Sequence, residues 1–300
     1  MTNKRASSSE FPIKIHIENT NQCNAHCIIC PREKMYRKKG TMNLDLFNKI
    51  ISESDNYKSG IKEIHLHGYG EPSLDQFLEE KIQLIGEYKF QKLYMVTNGS
   101  MLNKEVIQAI IRHINEIKIS YYGDKSYSKI HRGLKQNEVD QNIQALFKKR
   151  NSSSNSQLRI LIQIAPSLIS KQELMEIFKK WNPFINEDLG DCFTVTGVHN
   201  WATNFDSSLL NNERVQSNVC QWPIEHMYIT WDGEVLPCIF DINSVHKIGN
   251  INSSSIYDIW NCDQYDEFES HNMICKLCEV PIGKFKPVRI TKSSLKKYLK

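Results

Sequence analysis

The chain has 300 residues, 40% of them hydrophobic and 24% charged, and carries a formal net charge of +4. That is ordinary globular composition at a length that can bury a full core; no run of 18 or more apolar residues suggests a membrane span, and the opening MTNKRASSSEF lacks the apolar stretch of a signal peptide, so the expected location is the cytoplasm. The positive charge is local, with seven Lys or Arg and no acid between Lys284 and Lys300, and reads as a solvated basic tail, not as a nucleic-acid or membrane site.

Residues 13–18 (IKIHIE) alternate as a strand and run into a group of cysteines. A helical pattern begins after Thr41-Met42-Asn43 and passes through Leu44, Phe47, Ile50 and Ile51. There follow a strand at 61–67, a helix at about 74–86, a strand at 92–97, a helix at about 103–112, a strand at 115–120 and a helix at about 137–149. The polar stretch 151–156 reads as an exposed loop before a strand at 158–165, a helix at 170–180 and a strand near 192–198. Six alternations of strand and helix imply βαβ units and a parallel sheet. They are too few for a closed eight-fold barrel, so the expected fold is α/β, a partial (β/α)6 TIM-like barrel whose chemistry sits at the carboxyl ends of the strands. From about residue 219 the alternation stops and a second cysteine-bearing segment begins. The expected division is a barrel at 11–215, a small cysteine-rich module at 216–284 and the basic tail at 285–300.

Seven of the nine cysteines fall into two metal-type spacings. Cys23, Cys27 and Cys30 form C-x3-C-x2-C in the loop after the first strand. Three thiolates can hold three irons of a [4Fe–4S] cube and leave the fourth open to a ligand. A Cys3His zinc site using His26 competes, but a fourth ligand inside so short a loop would be strained. Cys220, Cys238, Cys275 and Cys278 form C-x17-C-x36-C-x2-C, with Asp232-Gly233 marking a hairpin before the second of them. By spacing alone these four fit a complete [4Fe–4S] cluster or a structural zinc equally well.

The first cysteine motif resembles the signature of the radical S-adenosylmethionine (SAM) superfamily, and later motifs follow in that family's order. Gly68-Tyr69-Gly70-Glu71-Pro72 is similar to its "GGE" segment, Thr97-Asn98-Gly99 ends the third strand, Ser120 ends the fourth, and Arg132 lies shortly beyond. The resemblance implies that Gly68, Gly70 and Glu71 meet the SAM ammonium, that Asn98 and Ser120 contact its ribose or carboxylate, and that Arg132 pairs with the carboxylate. Ile29 stands where the family usually has an aromatic residue near the adenine; its apolar side chain keeps the contact. The C-terminal cysteines resemble a shortened SPASM, or twitch, domain with one auxiliary [4Fe–4S] cluster, since a full SPASM domain for two clusters has more cysteines than these four and Cys262.

By this resemblance an electron from the first cluster, delivered by a carrier such as flavodoxin or ferredoxin, cleaves SAM to a 5′-deoxyadenosyl radical that takes a hydrogen atom from the substrate. The group most resembled is the aminoglycoside-type dehydrogenases and epimerases, which implies oxidation or epimerisation of a small sugar or cyclitol. Peptide maturation is the alternative; peptide-modifying relatives often carry a leader-binding domain, and here only 22 residues precede Cys23. A non-catalytic iron–sulfur protein is the third reading, opposed by the SAM-contact motifs. Cys262 is the candidate hydrogen-atom donor, with a buried apolar role competing. His199 is the candidate base, with Trp201 beside it as a surface for a sugar face. Cys192, inside a strand, reads as core.

Overall fold

The computed structural model describes residues 10–198, 201, 220, 222–268, 278, 288–291 and 294. β1 (Lys14–Ile17), β2 (Glu63–His65), β3 (Leu93–Thr97), β4 (Glu116–Ser120), β5 (Arg159–Ile164) and β6 (Cys192–Val195) lie side by side in chain order and pair in parallel. Helices α1 (Leu44–Asp55), α2 (Leu78–Glu87), α3 (Lys104–His113), α5 (Gln136–Asn151) and α6 (Lys171–Trp181) connect them, with a four-residue α4 (Tyr127–Ile130) before α5. Three helices start where an Asn or Ser side chain accepts an otherwise unpaired backbone N–H: Asn43 from Leu46, Asn103 from Val106 and Ser170 from Glu173.

Period-two alternation in the strands separates two faces. Ile15, Ile64, Met95, Ile117 and Ile162 join the apolar faces of the helices in one core. The other face carries His16, His65, Tyr94, Lys118, Gln163 and Thr194 into the barrel lumen. Buried ion pairs fasten the outer layer. Lys81 donates to Asp75 (2.6 Å) and the Met42 carbonyl (2.5 Å) with no exposed side-chain surface on either charged residue, and Arg150 pairs with Asp191, which also accepts the Ile160 and Asn186 N–H groups. Removing one partner of such a pair costs on the order of 3–5 kcal/mol.

The six-strand reading holds, and the departures from it are local. The expected helix at 74–86 begins as a 3-10 turn at Pro72–Leu74, capped by Glu71, and becomes α2 only at Leu78. The last barrel strand ends at Val195 instead of 198, and α4 has no long apolar stripe to announce it. The C-terminal segment is continuous with the barrel sheet. After α7 (Trp222–Glu225), β7 (His226–Ile229) pairs in parallel with β1, and β8 (Glu234–Leu236) and β9 (Gly249–Asn250) extend the same edge in antiparallel. The β7–β8 turn uses Gly233 at φ +87°, the left-handed conformation that the Asp-Gly pair favours. The helix expected near 255–269 is two short ones, α8 (Ile256–Trp260) and α9 (Asp263–Glu267).

At the other edge β10 (Val288–Ile290) pairs antiparallel with β6. Ile290 opposite Phe193 is fully buried, so this part of the basic segment is a sheet edge and not the solvated tail its charge implied. Strand order is β10-β6-β5-β4-β3-β2-β1-β7-β8-β9, an unclosed sheet. The expected division points near 215 and 284 lie outside the described residues. No helix among the described residues is long and apolar enough to cross a membrane.

Candidate active site

The loop leaving β1 carries Cys23, Cys27 and Cys30, and the segment after α4 holds it in place. The His26 N–H donates to the Arg132 carbonyl (2.7 Å) and the Ile28 N–H to the Ile130 carbonyl (3.0 Å). The His26 ring is exposed and lies 3.3 Å from Glu33. N–H groups reach all three sulfurs: Ala25 N–H to Cys23 Sγ (3.4 Å), Asn98 Nδ2–H to Cys23 Sγ (3.9 Å), His131 to Cys27 Sγ (3.3 Å), and the Arg32 backbone N–H to Cys30.

The tautomer of His131 follows from its other partner. The Tyr122 N–H donates to His131 Nε2 (3.0 Å), so Nε2 bears the lone pair and Nδ1 carries the hydrogen aimed at Cys27. The ring is buried between Tyr122 and Tyr127, and burial lowers its pKa to about 3. Burial raises the thiol pKa of Cys23 to about 11 and pushes Cys27 and Cys30 up as well, with the other two thiols adding to the shift at Cys27. Thiols that resist ionisation alone, yet receive N–H donors at sulfur, suit a metal centre that takes up their negative charge. The donor set fits a three-cysteine iron–sulfur cluster.

The segment after β2 meets this loop differently from the expectation. A Cβ on Gly70 would lie 2.1 Å from the Thr20 carbonyl oxygen, and one on Gly68 would lie 2.5 Å from the Tyr228 hydroxyl. Both glycines let the chain approach itself. The Glu71 carboxylate is buried and accepts from Ser73 N–H (3.1 Å), Ser73 Oγ (2.6 Å), Thr97 Oγ1 (2.6 Å) and Asn98 N–H (2.6 Å). Burial nonetheless holds its pKa above the usual carboxylate range. Glu71 thus clamps the loop after β2 to the end of β3. Asn98 in turn donates to Asn24 (3.1 Å) and accepts from the Ser100 N–H (2.8 Å).

Ser120 ends β4 at the lumen, 3.4 Å from the Tyr122 hydroxyl, which donates to Gln163 at 2.6 Å. Arg132 is exposed and contributes its backbone carbonyl to the cysteine loop. Ile29 packs with Ile28, Tyr122, Ile130 and Ala165 in an apolar patch at the ends of β4 and β5.

Glu18, directly after β1, is fully buried and joins the two halves of the chain. It pairs with both guanidinium nitrogens of Arg37 (2.7 and 2.5 Å) and accepts from the Tyr228 hydroxyl (2.7 Å). Arg37 also donates to the Ile242 carbonyl (2.8 Å), and the Tyr69 hydroxyl donates to the Ile239 carbonyl.

In the C-terminal segment, burial raises the thiol pKa of Cys220, and Cys278 is near enough to add to the shift. Cys238 lies just beyond β8 and accepts the Phe240 N–H (3.4 Å). Cys275 and His199 lie outside the described residues. Trp201 donates its indole N–H to the Ile29 carbonyl (2.9 Å) and packs against Tyr69 and Phe240, a bridging role instead of the open stacking surface expected. Cys262 precedes α9 and is half-buried against the main core. Cys192 is buried as expected, on the lumen face beside Arg159 and Arg289. A cleft of about 690 Å³ at the amino ends of β2–β5, lined by Glu63, Lys92, Glu116 and Arg159, opens at the end of the barrel away from the cysteine loop.

Sequence reasoning missed His131, passing over it for its neighbour Arg132, and it missed four histidines on the lumen face. His16, His65 and His67 converge there, and His16 Nε2 lies 3.0 Å from His226 Nδ1. Burial first, then neighbouring imidazoles or lysines, lowers all four, His67 and His226 to about 3. The available signal was histidine at alternate positions of strands that become neighbours.

An unclosed parallel barrel with three donor-supported thiols at the carboxyl end of its first strand defines an iron–sulfur enzyme. Residues 17–182 match the Radical SAM superfamily and residues 220–279 match SPASM, an iron–sulfur cluster-binding domain. The chain belongs to the radical SAM superfamily, and its cofactors are iron–sulfur clusters and SAM. It is 20% identical to the tungsten-containing aldehyde ferredoxin oxidoreductase cofactor-modifying protein of Pyrococcus furiosus, over 85% of this chain and 82% of that one. It is 23% identical to the SAM-dependent 2-deoxy-scyllo-inosamine dehydrogenase of Niallia circulans, over 88% of this chain and 90% of that one. Its fold is similar to that of Streptococcus suis SuiB bound to the precursor peptide SuiA, with a TM-score of 0.68 and 15% identity over 93% of this chain and 72% of that one.

Proposed function

We propose that this radical SAM enzyme abstracts a hydrogen atom from a small polyhydroxylated molecule, a sugar or cyclitol, and oxidises or epimerises the carbon. The observation that carries the reading is the lumen beneath the cysteine loop, where Ser120, Tyr122, Gln163 and Thr194 offer hydroxyl and amide groups. Hydroxyl-rich substrates need such partners, and their loss on burial would cost about 1–3 kcal/mol per unpaired group. Similarity to the 2-deoxy-scyllo-inosamine dehydrogenase along nearly its whole length supports the same substrate class.

Cys23, Cys27 and Cys30 hold the SAM-binding [4Fe–4S] cluster in this reading, and Cys220, Cys238, Cys275 and Cys278 hold an auxiliary one. When bound, the first cluster supplies the electron that cleaves SAM to methionine and a 5′-deoxyadenosyl radical. The chain's own task is placement. Glu71 fixes the loops that receive SAM, Asn98 and Ser120 present polar groups toward it, and Ile28 and Ile29 exclude water beside them. A reduced carrier such as flavodoxin or ferredoxin is the electron source.

The test is anaerobic turnover with SAM, reductant and a panel of aminocyclitols, sugars and short peptides, scoring 5′-deoxyadenosine and deuterium transfer from C–D-labelled substrate. Deuterium in 5′-deoxyadenosine from a cyclitol or sugar, with a ketone product, supports oxidation. Solvent deuterium at an inverted carbon supports epimerisation. Transfer from peptides alone would replace this reading with peptide maturation, which the fold similarity to SuiB favours.

A further inference from the structure

We propose that the barrel lumen holds a second kind of metal centre, a zinc-class divalent cation bound by the imidazoles of His16, His65 and His67. One ligand nitrogen from each lies within 4.8 Å of the others. The three residues come from adjacent strands, His16 on β1 opposite His65 on β2, with His67 two positions further along the same face.

Their hydrogen-bond state points the same way. His16 Nδ1, His65 Nδ1 and His67 Nδ1 are all buried and have no hydrogen-bond partner among the described residues. Three unpaired buried ring nitrogens in one place are unfavourable in a finished fold. For His65 the tautomer is fixed, because its Nε2 faces the Glu63 carboxylate at 2.8 Å. A carboxylate only accepts, so Nε2 donates and Nδ1 is a bare lone pair. This carboxylate–imidazole arrangement is the outer-sphere support that orients histidines on metals. His16 can be set likewise, its Nε2–H donating to His226 Nδ1 at 3.0 Å and leaving its Nδ1 free. Trp222 packs against His16, and Tyr94 against His65 and His67, giving the site low-dielectric walls.

Imidazole-only ligation suits zinc and its neighbours in the transition series and not magnesium or calcium. Three protein ligands leave a coordination position open, facing a lumen that ends at the cysteine loop. Such a centre would bind an oxygen or nitrogen ligand as a Lewis acid, without taking part in electron transfer.

The experiment uses the anaerobically reconstituted holoenzyme, so that the cysteines are occupied. It is given one equivalent of zinc chloride, passed over chelating resin, and assayed for retained zinc and for the zinc X-ray absorption edge. The expected result is about one zinc per chain with imidazole nitrogens at roughly 2.0–2.1 Å. Glu63→Gln weakens zinc binding by roughly 10–100-fold, as loss of an outer-sphere partner does. His65→Gln and His67→Gln weaken it at least as much with iron content unchanged, and His113→Gln, on α3, leaves it unaltered. Failure to retain zinc, sulfur ligands near the roughly 2.3 Å of a zinc–thiolate bond, or native affinity in both lumen variants would overturn the proposal. The absorption spectrum of the native protein decides even if a variant fails to fold.

Discussion

The two cysteine sites differ in how their sulfurs are supported. At the first, the local N–H groups of Ala25 and Arg32 are joined by donors from far along the chain: Asn98 reaches Cys23 across 75 positions and His131 reaches Cys27 across 104. At the second, the donors described to Cys220 and Cys238 are backbone N–H groups two residues on, Trp222 and Phe240. Both sites thus carry sulfur contacts within their own turns, and the barrel adds tertiary donors to the first. A distant donor lets packing tune a metal centre, and a local one follows the cysteine wherever its turn goes.

The sharpest break in this comparison is Cys27→Ala, which removes the thiolate that His131 supports. SAM cleavage is expected to fall to the level of a no-enzyme control, measured as 5′-deoxyadenosine. By contrast, Cys238→Ala is expected to spare reductive cleavage of SAM and to abolish product formation, uncoupling 5′-deoxyadenosine from product in the same assay. Next in size is Glu71→Ala, which strands the buried donors of Thr97 and Asn98 at roughly 1–3 kcal/mol for an unsatisfied group. Equilibrium SAM binding should weaken by about tenfold or more, and the thermal midpoint should drop.

The smallest effect tests the long-range donor. His131→Phe keeps an aromatic ring in place and removes the N–H from Cys27, together with the acceptor of the Tyr122 N–H. An N–H at sulfur favours the reduced, more negative cluster, so the variant should have the lower potential. We expect about a tenfold change in the reduced-to-oxidised ratio, equivalent to about 59 mV for a one-electron couple, read by titration with paramagnetic-resonance detection. An unchanged potential would make His131 a packing residue and erase the contrast between the sites.

Much of the barrel could be read directly because its signals are local. Strand periodicity, the Asn and Ser helix caps and the cysteine spacing each occupy a few adjacent residues. The features that escaped depend on what faces what. IKIHIE and IKEIHLH mark a polar strand face, but periodicity does not say that this face is a buried lumen instead of solvent, so nothing singles out His16, His65 and His67. Glu71 is singled out by its motif. Its partners Thr97 and Asn98 lie more than 25 positions away, so its inward direction was not legible. The parallel pairing of β7 with β1 joins residues more than 200 apart, and the Asp-Gly turn identified the hairpin without revealing its neighbour. Nothing in the charge pattern near the C-terminus marked Ile290 as a core residue.

The most direct test is iron, acid-labile sulfide and zinc per chain after anaerobic reconstitution, for the native protein and for variants of each cysteine set. Two [4Fe–4S] sites predict about eight irons and eight sulfides in the native chain, and about four of each after either Cys23→Ala/Cys27→Ala or Cys220→Ala/Cys238→Ala. About four irons in the native protein, with zinc bound by sulfur and lost on changing Cys220 and Cys238, would contradict the second cluster and leave the oxidation reading without an internal electron acceptor.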